Sequence, residues 1–260
     1  MLMEEGFARL KARAITDALD FDDPEAIDIE AIAMLRGIVC VTEAIVGAEG
    51  RLIRGSRGGV VRVKNQTGSE GRRRFTVAHE IGHYELHQRR GRSLCTASDL
   101  YHWGGAGKED EYQANVFAAE LLMPERLFAP QCRSVRPSFE HISALANVFR
   151  TSLTSTAIRF AEFSREECAI ILSRDGRICW GYPGREFRFK YFSVGETLSA
   201  FTIAHDYFHG KPDDRMQQSV DASAWFPKIK FRQDAMLKEQ SWRLGEFGGV
   251  LTLIWIDEEI

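Results

Sequence analysis

A chain of 260 residues, 44% hydrophobic, can bury a substantial core and has room for two domains. Its net charge of −3 gives no overall electrostatic drive toward nucleic acid or an anionic membrane. No apolar run approaches the roughly 20 residues that a membrane span needs, and no basic-then-apolar signal pattern opens the chain, so the cytoplasm is the expected location.

Residues 4–19 carry a polar-apolar helical pattern, which Asp22-Asp23-Pro24 breaks before residues 27–35 resume it. Residues 37–42, 51–54 and 59–64 read as short strands set off by glycines, a small sheet ahead of the next helix. If Val60 to Lys64 form an edge, its unpaired backbone can hold an extended peptide by strand addition. Arg62 and Lys64 would equally keep an ordinary edge soluble.

Residues 75–88 read as one helix, and within it His79-Glu80-Ile81-Gly82-His83 spell H-E-x-x-H. The i, i+4 spacing puts both imidazoles on one face, where they can clamp a Zn²⁺ at roughly 2.0–2.1 Å each. Glu80 sits one step round the helix, placed to take a proton from water rather than to ligate metal. Val77, Ala78, Ile81 and Gly82 suit a buried helix, in which two imidazoles and a carboxylate are costly unless a cation pairs with them. The arginines at 72–74, just ahead of this helix, read as a solvated surface or as partners of nearby acids rather than a phosphate site.

Residues 88–108, rich in Gly, Ser and Arg, read as a flap over a cleft. Cys95 and His102 lie in it without ligand spacing. His87, one turn past His83, reads as a polar neighbour, because a fourth protein ligand would close the site to water. The five cysteines, Cys40, Cys95, Cys132, Cys168 and Cys179, are odd in number, form no C-x-x-C pair and suit reduced thiols.

A third ligand is expected on a second helix, residues 111–123, which Pro124 ends. Glu111 is the expected residue, with Glu109 and Asp110 as competitors. A carboxylate there also suits the first turn of a helix on dipole grounds alone. Asn115, one turn on, is placed to support the site with a hydrogen bond.

The run Arg73-Arg74-Phe75-Thr76-Val77-Ala78-His79-Glu80-Ile81-Gly82-His83-Tyr84, followed by Glu111-x-x-Ala114-Asn115-x-Phe117-Ala118-Ala119-x-Leu121-Leu122-Met123-Pro124, resembles the ImmA/IrrE family of bacterial zinc endopeptidases. The likeness covers about residues 25–165. It implies a gluzincin-like site in which His79, His83 and Glu111 hold Zn²⁺ and Glu80 is catalytic. It further implies cleavage of a helix-turn-helix repressor, which derepresses stress, phage or mobile-element genes.

Residues 138–163 show two helical patterns with a break near 150–152 and Ser138 as N-cap, packing as a helix-turn-helix. The second offers mostly hydroxyls and one arginine, Arg159, which favours packing or partner docking over base reading. From residue 167 the pattern changes to strands: 168–173 and 178–182 flank an Asp175-Gly176 turn. Residues 187–191 alternate, 198–209 look helical, 219–226 extended, and 249–256 form an apolar final strand. Trp180, Trp225, Trp242 and Trp255 read as core rather than pocket lining. His205 and His209 repeat the i, i+4 spacing without a recognisable third ligand.

The expected fold is α+β. A zincin-like metallopeptidase domain with a small sheet and the H-E-x-x-H helix fills 1–135, helix-turn-helix-like helices fill 136–165, and an α+β regulatory or sensor-like domain fills 166–260. The alternative is a non-catalytic DNA-binding or antitoxin-like regulator with a structural metal, against which an intact Glu80 speaks.

Overall fold

The computed structural model describes residues 2–65, 68–87, 95–100, 109–133, 135–212, 215–245 and 249–257. The chain is mixed α+β and forms two compact units, residues 1–128 with 145–152, and residues 129–144 with 153–260. No helix among the described residues is long and apolar enough to cross a membrane.

The first unit opens with α1 (Leu2–Ala18), a 3-10 turn at Pro24–Ala26 and α2 (Ile29–Leu35). Asp28 caps α2 by accepting from the backbone N–H groups of Glu30 and Ala31. Strands β1 (Ile38–Glu43), β2 (Gly50–Arg54) and β3 (Gly59–Lys64) follow, ordered β1-β3-β2. β3 runs parallel to β1 and antiparallel to β2. The expectation that residues 60–64 form an edge is therefore overturned: Val61 and Val63 are fully buried, and both sides of β3 are paired. The strand that borders the sheet on the other side of β3 from β1 is β2.

The helix carrying the motif, α3 (Glu70–Leu86), starts at Glu70 because the Ser69 hydroxyl caps it, accepting from Arg72 N at 3.2 Å. The arginine tract is thus helical; Arg72 and Arg74 are buried, Arg73 is half-buried, and each has a partner in the first unit. Arg72 pairs with Glu49 at 3.4 Å, Arg74 donates to the Ile27 carbonyl at 2.7 Å, and Arg73 pairs with Glu30. α4 (Ala97–Leu100) and α5 (Glu109–Leu122) come next. α3 packs on β2 and β3 with one face and on α5 with another. The close crossing depends on Gly82, where an added Cβ would lie 3.2 Å from the Ala114 Cα and 3.1 Å from the Phe117 ring. Glu120, fully buried on α5, ties that helix to α1 through Arg9 and Arg13 at 3.4 and 3.0 Å.

A helix that the sequence pattern did not suggest, α6 (Glu125–Cys132), follows Pro124 despite carrying Pro130. α7 (Phe139–Val148) and α8 (Leu153–Phe163) break where expected. Every residue of α8 from Thr154 to Ala161 is buried.

The second unit is built on an antiparallel sheet. β4 (Cys168–Arg174) and β5 (Arg177–Pro183) form a hairpin whose turn residues Asp175 and Gly176 have φ of 51° and 70°. Both values are left-handed, as a two-residue hairpin turn of this kind needs. α9 (Ile203–Phe208), β6 (Gln218–Asp221), α10 (Ala222–Trp225), β7 (Met236–Arg243) and β8 (Gly249–Trp255) complete it. The order is β5-β4-β8-β7-β6, so the last strand is inserted between β4 and β7, with every residue buried.

Residues 187–191 do not join this sheet, contrary to their alternation. Phe187, Phe189 and Phe192 instead gather round Phe226, with the Phe189 and Phe226 rings 4.8 Å apart. The helical stretch expected at 198–209 shrinks to α9, and 219–226 divides into β6 and α10. β7 escaped the pattern because Lys238-Glu239-Gln240-Ser241 is polar. Glu239, Gln240 and Ser241 are nonetheless buried. Of the tryptophans, Trp225 and Trp255 are core residues.

Candidate metal centre

His79 and His83 project from one face of α3 and meet Glu111 from the first turn of α5. His79 Nε2 and His83 Nε2 face each other at 3.0 Å, and Glu111 Oε2 lies 3.2 and 3.3 Å from them. Glu109 is exposed and Asp110 turns instead to His87, 3.5 Å away, so of the three acidic candidates only Glu111 reaches both imidazoles.

The atoms behind the histidines set their orientation. Asn115 Nδ2 donates to the Asp99 carbonyl at 2.9 Å, which leaves Oδ1 to accept from His79 Nδ1 at 2.9 Å. That proton on Nδ1 leaves the Nε2 lone pair turned toward Glu111. On His83 the corresponding partner is His87, Nδ1 to Nδ1 at 2.9 Å, and His87 Nε2 in turn reaches Gln113 Oε1 at 3.2 Å. Donation from His83 Nδ1 through His87 to Gln113 is the tautomer set in which His83 also presents a lone pair on Nε2.

Three basic atoms turned to one point repel unless a proton or cation lies between them. Ligands held at about 2.0–2.1 Å around a tetrahedral cation sit roughly 3.3 Å apart. The observed spacings of 3.0–3.3 Å match that edge, so the donor set fits a zinc-sized ion.

The electrostatics carry the same strain. Burial opposes a charge on His79, but Cys95, Glu111 and Glu80 outweigh it and raise its pKa well above the ordinary imidazole value. Burial, with His79 and His87 beside it, lowers His83 to about 4 against the pull of Glu111. Burial pushes Glu111 up, yet its two histidine bonds hold the carboxyl well below the usual carboxylate range.

Glu80 is fully buried and lies under β2. An added Cβ on Gly50 would stand 2.9 Å from Glu80 Oε1 and 2.6 Å from Thr76 Cγ2, so only glycine lets the strand cross the helix here. Gly50 escaped the reading of the sequence, where it was one more glycine between strands. Cys95, set aside for lack of spacing, also arrives at the site: its Sγ and carboxylate oxygens of Asp99 and Glu111 lie within 4.8 Å of one another. His102 and the rest of 88–108 apart from Cys95–Leu100 lie outside the described residues. His205 and His209 stack with ring centroids 3.8 Å apart and join no three-ligand group among the described residues.

The fold and this buried polar cluster point to the class of the metallopeptidases, and comparison with known proteins agrees. Residues 33–161 match the Peptidase M78 family, described as the IrrE N-terminal-like domain. This part of the chain belongs to the ImmA/IrrE family, a metallopeptidase family that implies a metal, usually zinc. Among curated proteins none matches. Of the solved structures, one titled "Mycobacterium tuberculosis transcriptional regulator" is similar with a TM-score of 0.64 at 16% identity, over 98% of this chain and 77% of that one. At that identity the likeness concerns the fold.

Proposed function

We propose that this protein is a cytoplasmic, zinc-dependent endopeptidase of the gluzincin type, with a zincin-like domain that cleaves a helix-turn-helix repressor and so derepresses stress, phage or mobile-element genes. The observation that carries the reading is the convergence of His79 Nε2, His83 Nε2 and Glu111 Oε2 within 3.3 Å, with Glu80 on the same helix beside a sheet edge. His79, His83 and Glu111 would hold the zinc. Bound there, zinc supplies a Lewis acid that polarises the scissile carbonyl and makes water more acidic.

The chain's own groups do the rest. Glu80 accepts the proton of the attacking water and delivers it to the leaving amine. Asn115 and His87 keep the ligand imidazoles in the required tautomers. β2 offers an extended substrate segment a backbone to pair with, directly above Glu80. Residues 166–260 serve as the part that senses a signal or presents the substrate. The solved structure titled as a transcriptional regulator fits a setting in gene control. Burial of Thr154, Ser155, Thr156 and Arg159 on α8 speaks against base reading by that helix.

The test is incubation of the purified protein with candidate helix-turn-helix repressors, with and without chelator, beside Glu80→Gln. Wild type should cut and chelator should stop it. The variant should keep its metal and lose about 10²–10⁴-fold in rate. Cleavage by Glu80→Gln at the wild-type rate would remove the proposed mechanism.

A further inference from the structure

Cys95 reaches the metal-ready cluster by two routes at once. Its backbone makes an antiparallel bridge to the start of β2: Cys95 N donates to the Gly50 carbonyl at 3.0 Å, and the Cys95 carbonyl accepts from Glu49 N and Gly50 N at 2.9 and 3.3 Å. This is the pairing that an extended peptide would make with the same edge, immediately above Glu80. Its side chain turns inward and is 1% exposed. Sγ lies within 4.8 Å of a Glu111 carboxylate oxygen and donates to the Thr96 carbonyl at 3.7 Å.

The placement is built. Asp99 Oδ2 accepts from Thr96 N and Thr96 Oγ1 at 2.8 and 2.6 Å, closing the turn behind Cys95. Asn115, which orients His79, also holds the Asp99 carbonyl. The residue that fixes one ligand thereby fixes the segment that brings the thiol. Around a tetrahedral zinc, a thiolate at about 2.3 Å and a carboxylate at about 2.0 Å sit roughly 3.5 Å apart, so a movement of about an ångström brings Sγ to ligand spacing from Glu111.

We propose that Cys95 is a fourth, self-supplied ligand of the His79–His83–Glu111 centre, and that its segment occupies the substrate's place on β2, so that the peptidase is held latent until that segment is displaced. The inference rests on the metallopeptidase reading above. The physical reason is the one that separates structural from catalytic zinc: a fourth protein ligand removes the position that water and substrate need. The thiol gives up its proton to solvent on ligation and regains one on displacement, with no change of oxidation state.

The test uses the full chain loaded with Co²⁺ in place of zinc. Wild type should show an intense thiolate-to-cobalt band in the near ultraviolet, and the metal should slow alkylation of Cys95 by iodoacetamide at least about tenfold. Cys95→Ser should lose the band yet still bind one cobalt. With zinc, Cys95→Ala should digest an unfolded protein such as casein about tenfold or more faster than wild type. A wild-type cobalt centre that His83→Ala abolishes but that has no thiolate band, with Cys95 alkylated equally fast with and without metal, overturns the Cys95 assignment and leaves the metal centre standing. Failure of wild type to bind any cobalt beyond the level of His83→Ala overturns both.

Discussion

The two units each bury carboxylates, and they satisfy them in opposite ways. In the second unit, Glu239 is fully buried on β7 and surrounded by donors alone: Ala204 N at 2.8 Å, Trp225 Nε1 at 2.9 Å and Ser241 Oγ at 3.1 Å. It fastens α9 and α10 to the sheet and has nothing left to offer a ligand. In the first unit, Glu111 Oε2 meets two imidazole nitrogens that themselves face each other at 3.0 Å. Glu120 on the same helix α5 resembles Glu239 in kind, since arginines and the Glu125 N–H satisfy it. Burial of charge alone thus distinguishes nothing. What separates a structural carboxylate from a chemical one is whether its neighbours are complementary donors or further basic atoms competing for one point.

The largest expected effect breaks the comparison at the centre. His83→Ala should lose the bound metal, read by elemental analysis of the purified chain, because two ligands from different helices cannot match three. Full metal retention in that variant would remove the assignment. Asn115→Ala is the next step down. It deletes the acceptor of His79 Nδ1–H, and metal affinity measured by chelator competition should fall about 10–100-fold. An unchanged affinity would mean that packing alone orients His79.

The smallest effect sharpens the contrast from the other side. Burial raises Glu239 from an ordinary 4.5 to about 7, against the pull of its donors. The folded state therefore holds a proton that the unfolded chain releases between these values. The stability that Glu239 contributes is fully present below 4.5, declines by up to about 1.4 kcal/mol per pH unit as pH rises toward 7, and then levels off. Glu239→Gln cannot lose that proton, so the difference in urea midpoint between wild type and variant should change across this window. A constant difference would show that Glu239 titrates normally.

Much of the local structure was legible because it is set by neighbours in sequence. Ser138 and the break near residue 150 delimit α7 and α8, Asp175-Gly176 fixes the β4–β5 hairpin through its positive φ values, and the apolar run at 249–256 gives β8. Where the reading failed, distant contacts had overridden local pattern. β7 is polar in sequence because Glu239 and Ser241 find partners on α9, α10 and β8. Phe187 and Phe189 alternate like a strand, yet pack as a ring cluster with Phe226. Residues 60–64, open to an edge reading in sequence, have partners on both sides.

By itself the sequence determined that two imidazoles and a carboxylate share one helix, since a fixed rise and turn per residue place His79, Glu80 and His83 without help from the rest of the chain. Only the tertiary structure decided which acid of the 109–111 run meets them, through the close α3–α5 crossing that Gly82 permits. It also decided that bare Gly50 lies over Glu80, and that Cys95, set apart in sequence from His79, His83 and Glu111, arrives beside Glu111 by pairing with that strand. Such meetings depend on chain closure over tens of residues, which no local spacing encodes.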